Sequence, residues 1–174
     1  NSLIEIPSDL FRYNKVTSFI ATFSYCTSLT SITSDLFSGC TNVTSFNNTF
    51  QNCTSLTGIT SDLFKYNTNV TSFSYTFSNC TSLTTISTEL FKHNTLVTDF
   101  SYTFYQCSSL TGISLTLFDF NTNVYNFRYA FYNCTSLTGD APTLWLTYPS
   151  ATGLNCFTYD TGLTNYASIP ANWK

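Results

Sequence analysis

The stretch NVTSFSYTFSNCTSLTTISTELFKHN, Asn69 to Asn94, is written again with few changes on either side. NVTSFNNTFQNCTSLTGITSDLFKYN precedes it from Asn42 to Asn67, and LVTDFSYTFYQCSSLTGISLTLFDFN follows from Leu96 to Asn121. Val16, Val43, Val70, Val97 and Val124 step by 27, and Phe19, Phe46, Phe73, Phe100 and Phe127 keep the same interval. So do Phe23, Phe50, Phe77, Phe104 and Phe131; Cys26, Cys53, Cys80, Cys107 and Cys134; and Leu29, Leu56, Leu83, Leu110 and Leu137. Ile32, Ile59, Ile86 and Ile113 follow, then Leu36, Leu63, Leu90, Leu117 and Leu144, each followed by Phe or, at the end, by Trp145.

A fixed period between 20 and 50 residues marks a solenoid or array. The reason is burial: one unit cannot cover its own apolar side chains, whereas stacked copies bury them in a continuous column. The expectation is a repeat solenoid of about six coils, right-handed, with short parallel strands and short helical turns. Leu83 to Ile86 and Val70 to Phe73 have the β-branched and aromatic character of strands. Ser61 to Asn67 reads as one or two helical turns, with Ser61 or Asp62 as N-cap and Lys65 near the end. Ser74 to Cys80 reads as a further tight helical turn. Coils at strand spacing, about 4.8 Å, would make a rod roughly 30 Å long.

The ends deviate from the unit. Leu3, Ile6, Leu10 and Phe11 form the second half of a repeat, so the N-terminal side reads as incomplete, with other domains of a longer parent chain expected before it. Asp140 stands where an Ile belongs, and Ala141 to Trp145 replaces the usual loop. Cys156 to Trp173 is a degraded last copy, with Phe157, Asp160 and Leu163 in the Phe, Cys and Leu slots. The division expected is a solenoid over 1–138 and a degenerate last repeat with C-terminal cap over 139–174, the cap shielding the open end of the core.

The pattern F-x-x-C-T-S-L-T-x-I resembles the BspA-type (Treponema-pallidum-type) leucine-rich repeats over residues 3–140. The N-V-T-S-F element joined to T-F-S-N-C-T-S-L-T is also similar to repeats of bacterial surface lipoproteins, in which Met often holds the Phe slots. The closing APTLW and NYASIPANW resemble the ends of such arrays in tail-associated proteins of phages and prophages. These resemblances imply adhesion or surface binding without catalysis. They also imply a location outside the cell, at a cell surface or on a virion.

Composition narrows the partners. Charged residues are 9% of the chain and the net charge is −3, so there is no basic footprint for nucleic acid. No apolar run approaches the ~20 residues that membrane insertion by a helix needs. The cysteines recur one per unit and offer no C-x2-4-C pair, so they read as a buried ladder of small apolar side chains and not as a metal site. Asp9, Asp35, Asp62 and Glu89 share one register. A single carboxylate per coil is too few for calcium, so helix-turn capping is the plainer reading. His93 is the only histidine and has no acid beside it. No catalytic, metal or cofactor residues are assigned, and no nucleotide or hydrolase motif is present.

Registers outside the core change from copy to copy. Ala21, Asn48, Tyr75, Tyr102 and Tyr129 form one, Ser24, Gln51, Ser78, Tyr105 and Tyr132 another, and Gly39, Tyr66, His93 and Phe120 a third. The drift toward aromatics, joined by Tyr125 and Arg128, matches the composition of recognition surfaces. Tyr75, Tyr102, Tyr105, Tyr125, Arg128, Tyr129 and Tyr132 are therefore the candidate ligand-binding residues, for a protein or glycan on a host or bacterial surface. Tyrosines that merely cover the coil turns of a structural spacer are the alternative. A glycan-active enzyme would need clustered acids, and an ice-binding array would need paired T-x-T ranks; the chain has neither.

Overall fold

Each repeat becomes one coil of chain lying on the next. In the computed structural model, which describes residues 3–174, the V-T-S-F segments meet through successive parallel bridges. Ser18 bridges Ser45, Ser45 bridges Ser72, Ser72 bridges Asp99, Asp99 bridges Asn126, and Asn126 bridges Thr152. In the L-T-x-I segments, β1 (Gly58–Ile59) pairs in parallel with β2 (Thr85–Ile86). The strands are only two residues long because the chain leaves the pleat at once to turn its Leu and Phe inward.

The expected helical turns form differently. Between Thr60 and Asn67 the bonds are Leu63 N–H to Thr60 O, Lys65 N–H to Asp62 O and Asn67 N–H to Phe64 O, all i to i−3. This is a run of tight turns, not an α-helix. Seven residues are too few for a helical nucleus to pay back its entropy cost. The carboxylates do not cap these turns either. Asp62 and Glu89 face Lys65 at 3.8 Å and Lys92 at 2.8 Å, while Ser87 Oγ accepts the Glu89 N–H at 3.4 Å. Among the described residues the single α-helix, α1 (Leu144–Thr147), and a 3-10 turn at Tyr166–Ser168 both lie near the C-terminus.

The Ser74–Cys80 segment is also not helical. Phe73, Tyr75, Phe77 and Asn79 donate their N–H groups forward to Asp99, Ser101, Thr103 and Tyr105 of the next coil, at 2.7–3.0 Å. Thr76, Ser78 and Cys80 donate back three residues within their own coil. The alternation requires a left-handed residue twice per coil, and Tyr75 and Asn79 have φ of 57° and 58°. The same two registers are left-handed in every coil, from Ala21 and Tyr25 to Asn155 and Tyr159.

The rows of Val, Phe, Cys and Leu are buried as their period requires, with Phe46, Phe73, Phe77, Phe100 and Phe104 wholly enclosed. Polar side chains in three registers satisfy carbonyls of the coil before. Thr49, Thr76 and Thr103 donate to the Phe19, Phe46 and Phe73 carbonyls at 2.9, 3.0 and 3.1 Å. Cys53, Cys80, Cys107 and Cys134 donate to Phe23, Phe50, Phe77 and Phe104 at 3.1–3.3 Å. Asn67, Asn94 and Asn121 donate to Phe37, Phe64 and Phe91, each at 3.1 Å. In all three rows the donor follows its acceptor by 30 residues. The cysteines are thus weak donors as well as apolar filling, and all seven are unbridged.

The C-terminal coil keeps the registers with changed residues. The Phe157 ring stacks on Phe131 at 5.7 Å, and Leu163 bridges Gly139. Tyr148 Oη takes the Asn role by donating to the Phe118 carbonyl at 2.6 Å. Trp173 covers the exposed end of the Phe rows, with its ring 6.2 Å from Phe127 and 6.4 Å from Trp145. Its indole lies against Gly153, where a Cβ would collide with the ring. Phe157 donates its N–H to the Trp173 carbonyl at 2.8 Å, pinning the lid.

Candidate binding surface

Ring spacings show that the coils are not related by translation alone. Under pure translation every pair of equivalent rings would be equally far apart. Instead Phe37–Phe64 and Phe64–Phe91 are 6.1 and 6.3 Å apart, Phe46–Phe73 5.8 Å, and Tyr75–Tyr102 only 4.2 Å. Their planes differ by 4–8°. A rotation of that size across a coil roughly 10–15 Å deep changes spacing by about 1–2 Å. The stack is therefore curved, with the Phe37 row on the outside and the tyrosines on the inside. The uniform 4.8 Å spacing expected from strands gives way to a fan.

On that inner side the tyrosines stand in two columns. Tyr75, Tyr102 and Tyr129 stack at 4.2 and 4.7 Å, and Tyr105 stacks on Tyr132 at 5.1 Å. The columns touch where Tyr102 meets Tyr105 at 5.5 Å and Tyr129 meets Tyr132 at 5.3 Å. Tyr159 of the last coil adds its edge to Tyr132 at 5.3 Å. All but Tyr159 are half-buried; Tyr159 is exposed. Tyr102's phenol pKa is raised, first by burial and then by its Tyr75 neighbour, while Arg128 acts to lower it. Tyr132's is raised by burial and by its hydrogen bond to Tyr159.

Five of the seven sequence-derived candidates thus lie together, and Arg128 adjoins them: its carbonyl accepts the Tyr102 N–H at 2.9 Å, and its side chain is exposed. Tyr125 lies elsewhere on the coil. Its N–H donates to Thr98 O, as Thr98's does to Thr71 O, so it belongs to the threonine register of the V-T-S-F segment, and it makes no ring contact with the columns. Tyr159 was missed because the last copy is one residue short; once Phe157 is matched to Phe131, it falls in the register of Asn133.

The backbone beneath the columns is left-handed at Tyr75, Tyr102 and Tyr129, with φ of 55–57°. Asn48 and Asn155 hold the same slot with the same conformation, and Asn tolerates it better than Tyr. Each tyrosine there costs on the order of 1 kcal/mol, while each stacked pair returns about 0.5–1.5 kcal/mol. The two effects nearly cancel. Apart from the area the rings bury, stability gives little reason to place three tyrosines in a row.

Other groups carry less. The thiols are buried, and burial pushes Cys53 and Cys107 up to about 12, so they are poor nucleophiles. A surface depression of about 230 Å³ is lined by Ser8, Asp9, Arg12, Asp35 and Ser38, away from the tyrosines. His93, Tyr66 and Phe120 are exposed on the outer turns. Among the described residues, no group of acids, cysteines and histidines is arranged to hold a metal, and no helix is long and apolar enough to cross a membrane.

Among solved structures, the chain is similar to a chain of the Toll–Spatzle complex of Drosophila, at 17% identity and a TM-score of 0.30, covering 94% of this chain and 29% of that one. It is also similar to a chain of a TLR13–ssRNA13 complex, at 13% identity and a TM-score of 0.26, covering 79% of this chain and 23% of that one. The chain spans less than a third of either, and likenesses of this degree leave the architecture to be read from the coils' own bonds. No curated protein matches the sequence. Residues 17–145, nearly the whole of the regular stack, match the family described as "Mycoplasma protein of unknown function, DUF285", and the chain belongs to that family.

Proposed function

We propose that the chain is a non-catalytic recognition module, a right-handed leucine-rich-repeat-like coil of the BspA kind that presents its inner tyrosine face to a partner outside the cell, on a cell surface or as part of a virion. The single observation behind this reading is the pairing of tyrosine columns with a left-handed backbone. Three consecutive coils accept a conformation Tyr disfavours, and stacking only offsets its cost. Strain retained for so small a gain in stability is a pointer to function. Tyrosine rings also supply contact area at low entropy cost, as recognition surfaces favour.

Replacing Tyr102 and Tyr129 together by Asn tests the reading, because Asn48 and Asn155 already fill that slot in neighbouring coils. Binding to bacterial and host cell surfaces and to a broad glycan array, compared with the parent chain, should fall at least tenfold with folding unchanged. Undiminished binding would transfer the role to another face. Absence of binding by the parent itself would favour a spacer.

A further inference from the structure

In the middle of the tyrosine columns, hydroxyls and ring edges are offered while the ring faces are taken. Tyr102 is sandwiched between Tyr75 and Tyr129 with planes 6° and 14° from parallel. Tyr132 is stacked on Tyr105 on one side and met by the edge of Tyr159 on the other. The outer end of the first column is held by Asn155, whose Nδ2 donates to Tyr129 Oη at 2.7 Å. A neutral sugar laid flat across the columns would need faces that Tyr102 and Tyr132 use on other rings. What remains is a double row of phenolic groups, donors and acceptors in a curved trough.

The trough has one cation beside it and no facing acid. Lys65 and Lys92 are paired with Asp62 and Glu89, and Lys174 donates to the Tyr166 and Ala167 carbonyls. Arg128 has no ion-pair partner among the described residues, and its guanidinium stabilises the Tyr102 phenolate form. Asp99, three residues before Tyr102, turns its Oδ1 to the Ser101 N–H at 2.9 Å. The backbone is closed to an added strand, since Tyr75, Tyr102 and Tyr129 donate their N–H groups to the next coil. A peptide therefore finds neither a free sheet edge nor an apolar pocket.

Building on the proposed tyrosine-face reading, we infer that the trough binds an anionic oligosaccharide, its carboxylate forked by Arg128 and its hydroxyls paired with the phenols of Tyr102, Tyr105, Tyr129 and Tyr132. Planar bidentate recognition of a carboxylate is what a guanidinium does best, and sugar hydroxyls match phenols as both donor and acceptor.

Calorimetric titration with tri-galacturonate, its carboxyl-reduced neutral counterpart, a sulfated trisaccharide and a short oligo-glutamate peptide tests this. Tri-galacturonate should bind, the neutral counterpart at least tenfold more weakly, and R128Q should remove most of that difference with an unchanged melting temperature. A sulfated trisaccharide that binds in the same Arg128-dependent way leaves the inference standing, since the recognised feature is an anion on a sugar. Equal binding of the charged and neutral sugars, indifference to R128Q, preference for the peptide, or no binding of either anionic sugar at millimolar concentration would overturn it. If cell-surface binding is lost in the Y102N/Y129N pair while these sugars are ignored, the tyrosine face stands and only the ligand class is wrong.

Discussion

Asp160 accepts the backbone N–H of Cys134 on its Oδ1 at 2.8 Å, from a slot that holds cysteine in every earlier coil. Its other oxygen, Oδ2, is buried without a partner, and burial pushes the carboxyl up to about 8. The groups around it are the Cys134 and Cys156 thiols, both raised by burial and both neutral. The last coil therefore carries its proton at neutral pH. A carboxyl with a folded pKa above its unfolded value holds more protons when folded, so its contribution is full below about pH 4 and is lost as pH rises toward 8. The effect is on the order of 5 kcal/mol at most. Asp160→Asn keeps the acceptor without the charge. Urea melts from pH 5 to 9 should show the parent losing stability with rising pH and the variant losing much less.

Asn94 joins two carbonyls of the preceding coil, Phe64 at 3.1 Å and Asn67 at 3.0 Å. Asn94→Leu takes one donor from each, leaving Phe64 O only the Asn67 N–H and Asn67 O only the Val70 N–H. A cost of about 2–3 kcal/mol is expected for the two lost bonds. Cys80→Ala removes a weaker donor and a small volume, and about 1–2 kcal/mol should follow. Chemical denaturation of the two variants side by side checks the order, which a purely apolar cysteine and a surface asparagine would reverse.

Gly153 lies against the Trp173 indole, and a methyl there cannot fit without displacing the lid. Gly153→Ala should open the C-terminal end first. Hydrogen exchange ought to show faster exchange at Phe157, whose N–H bonds to Trp173 O, while Phe73 and Phe77 remain protected.

The seven thiols are enclosed in the folded chain, and desolvation opposes their ionisation. Labelling with a thiol-specific reagent at pH 8 should be negligible until denaturant is added, then reach all seven. Rapid labelling of Cys53 or Cys107 in the native state would contradict their burial.

Tyr102→Asn should shift the unfolding midpoint by less than the equivalent of about 1 kcal/mol, since relief at the left-handed backbone offsets the lost stacking. Phe100→Ala, two residues earlier and wholly buried, should cost about 3–5 kcal/mol. The contrast separates a residue kept for its surface from one kept for packing.

The apolar rows were legible in the sequence because Phe73, Cys80 and Leu83 repeat with one period and meet one fate. The local shape was not. Ser61 to Asn67 carries the residues of a helical turn, yet stacking demands that Leu63 and Phe64 both point inward, and i to i−3 turns achieve this. Thr76 reads as one more polar residue in S-Y-T-F, and only the coil below shows that its hydroxyl serves Phe46. The left-handed positions leave a trace in Asn48, Asn52, Asn79 and Asn133, but Tyr75, Tyr102 and Gln106 hide it, since these residues do not favour that backbone. For the candidate site, register gathered five tyrosines, and Arg128 was added with Tyr125 from its place at the same end. Tyr125 was included because it is aromatic and near in sequence, and its threonine-row register separates it.

Because each Thr, Cys and Asn named in the three rows serves a carbonyl of the coil before it, excision or duplication of a whole period would leave each donor with an acceptor. Tandem DNA encoding such a unit can slip by entire copies without harming the product. The length of the stack is then set by copy number, growing or shrinking by whole coils.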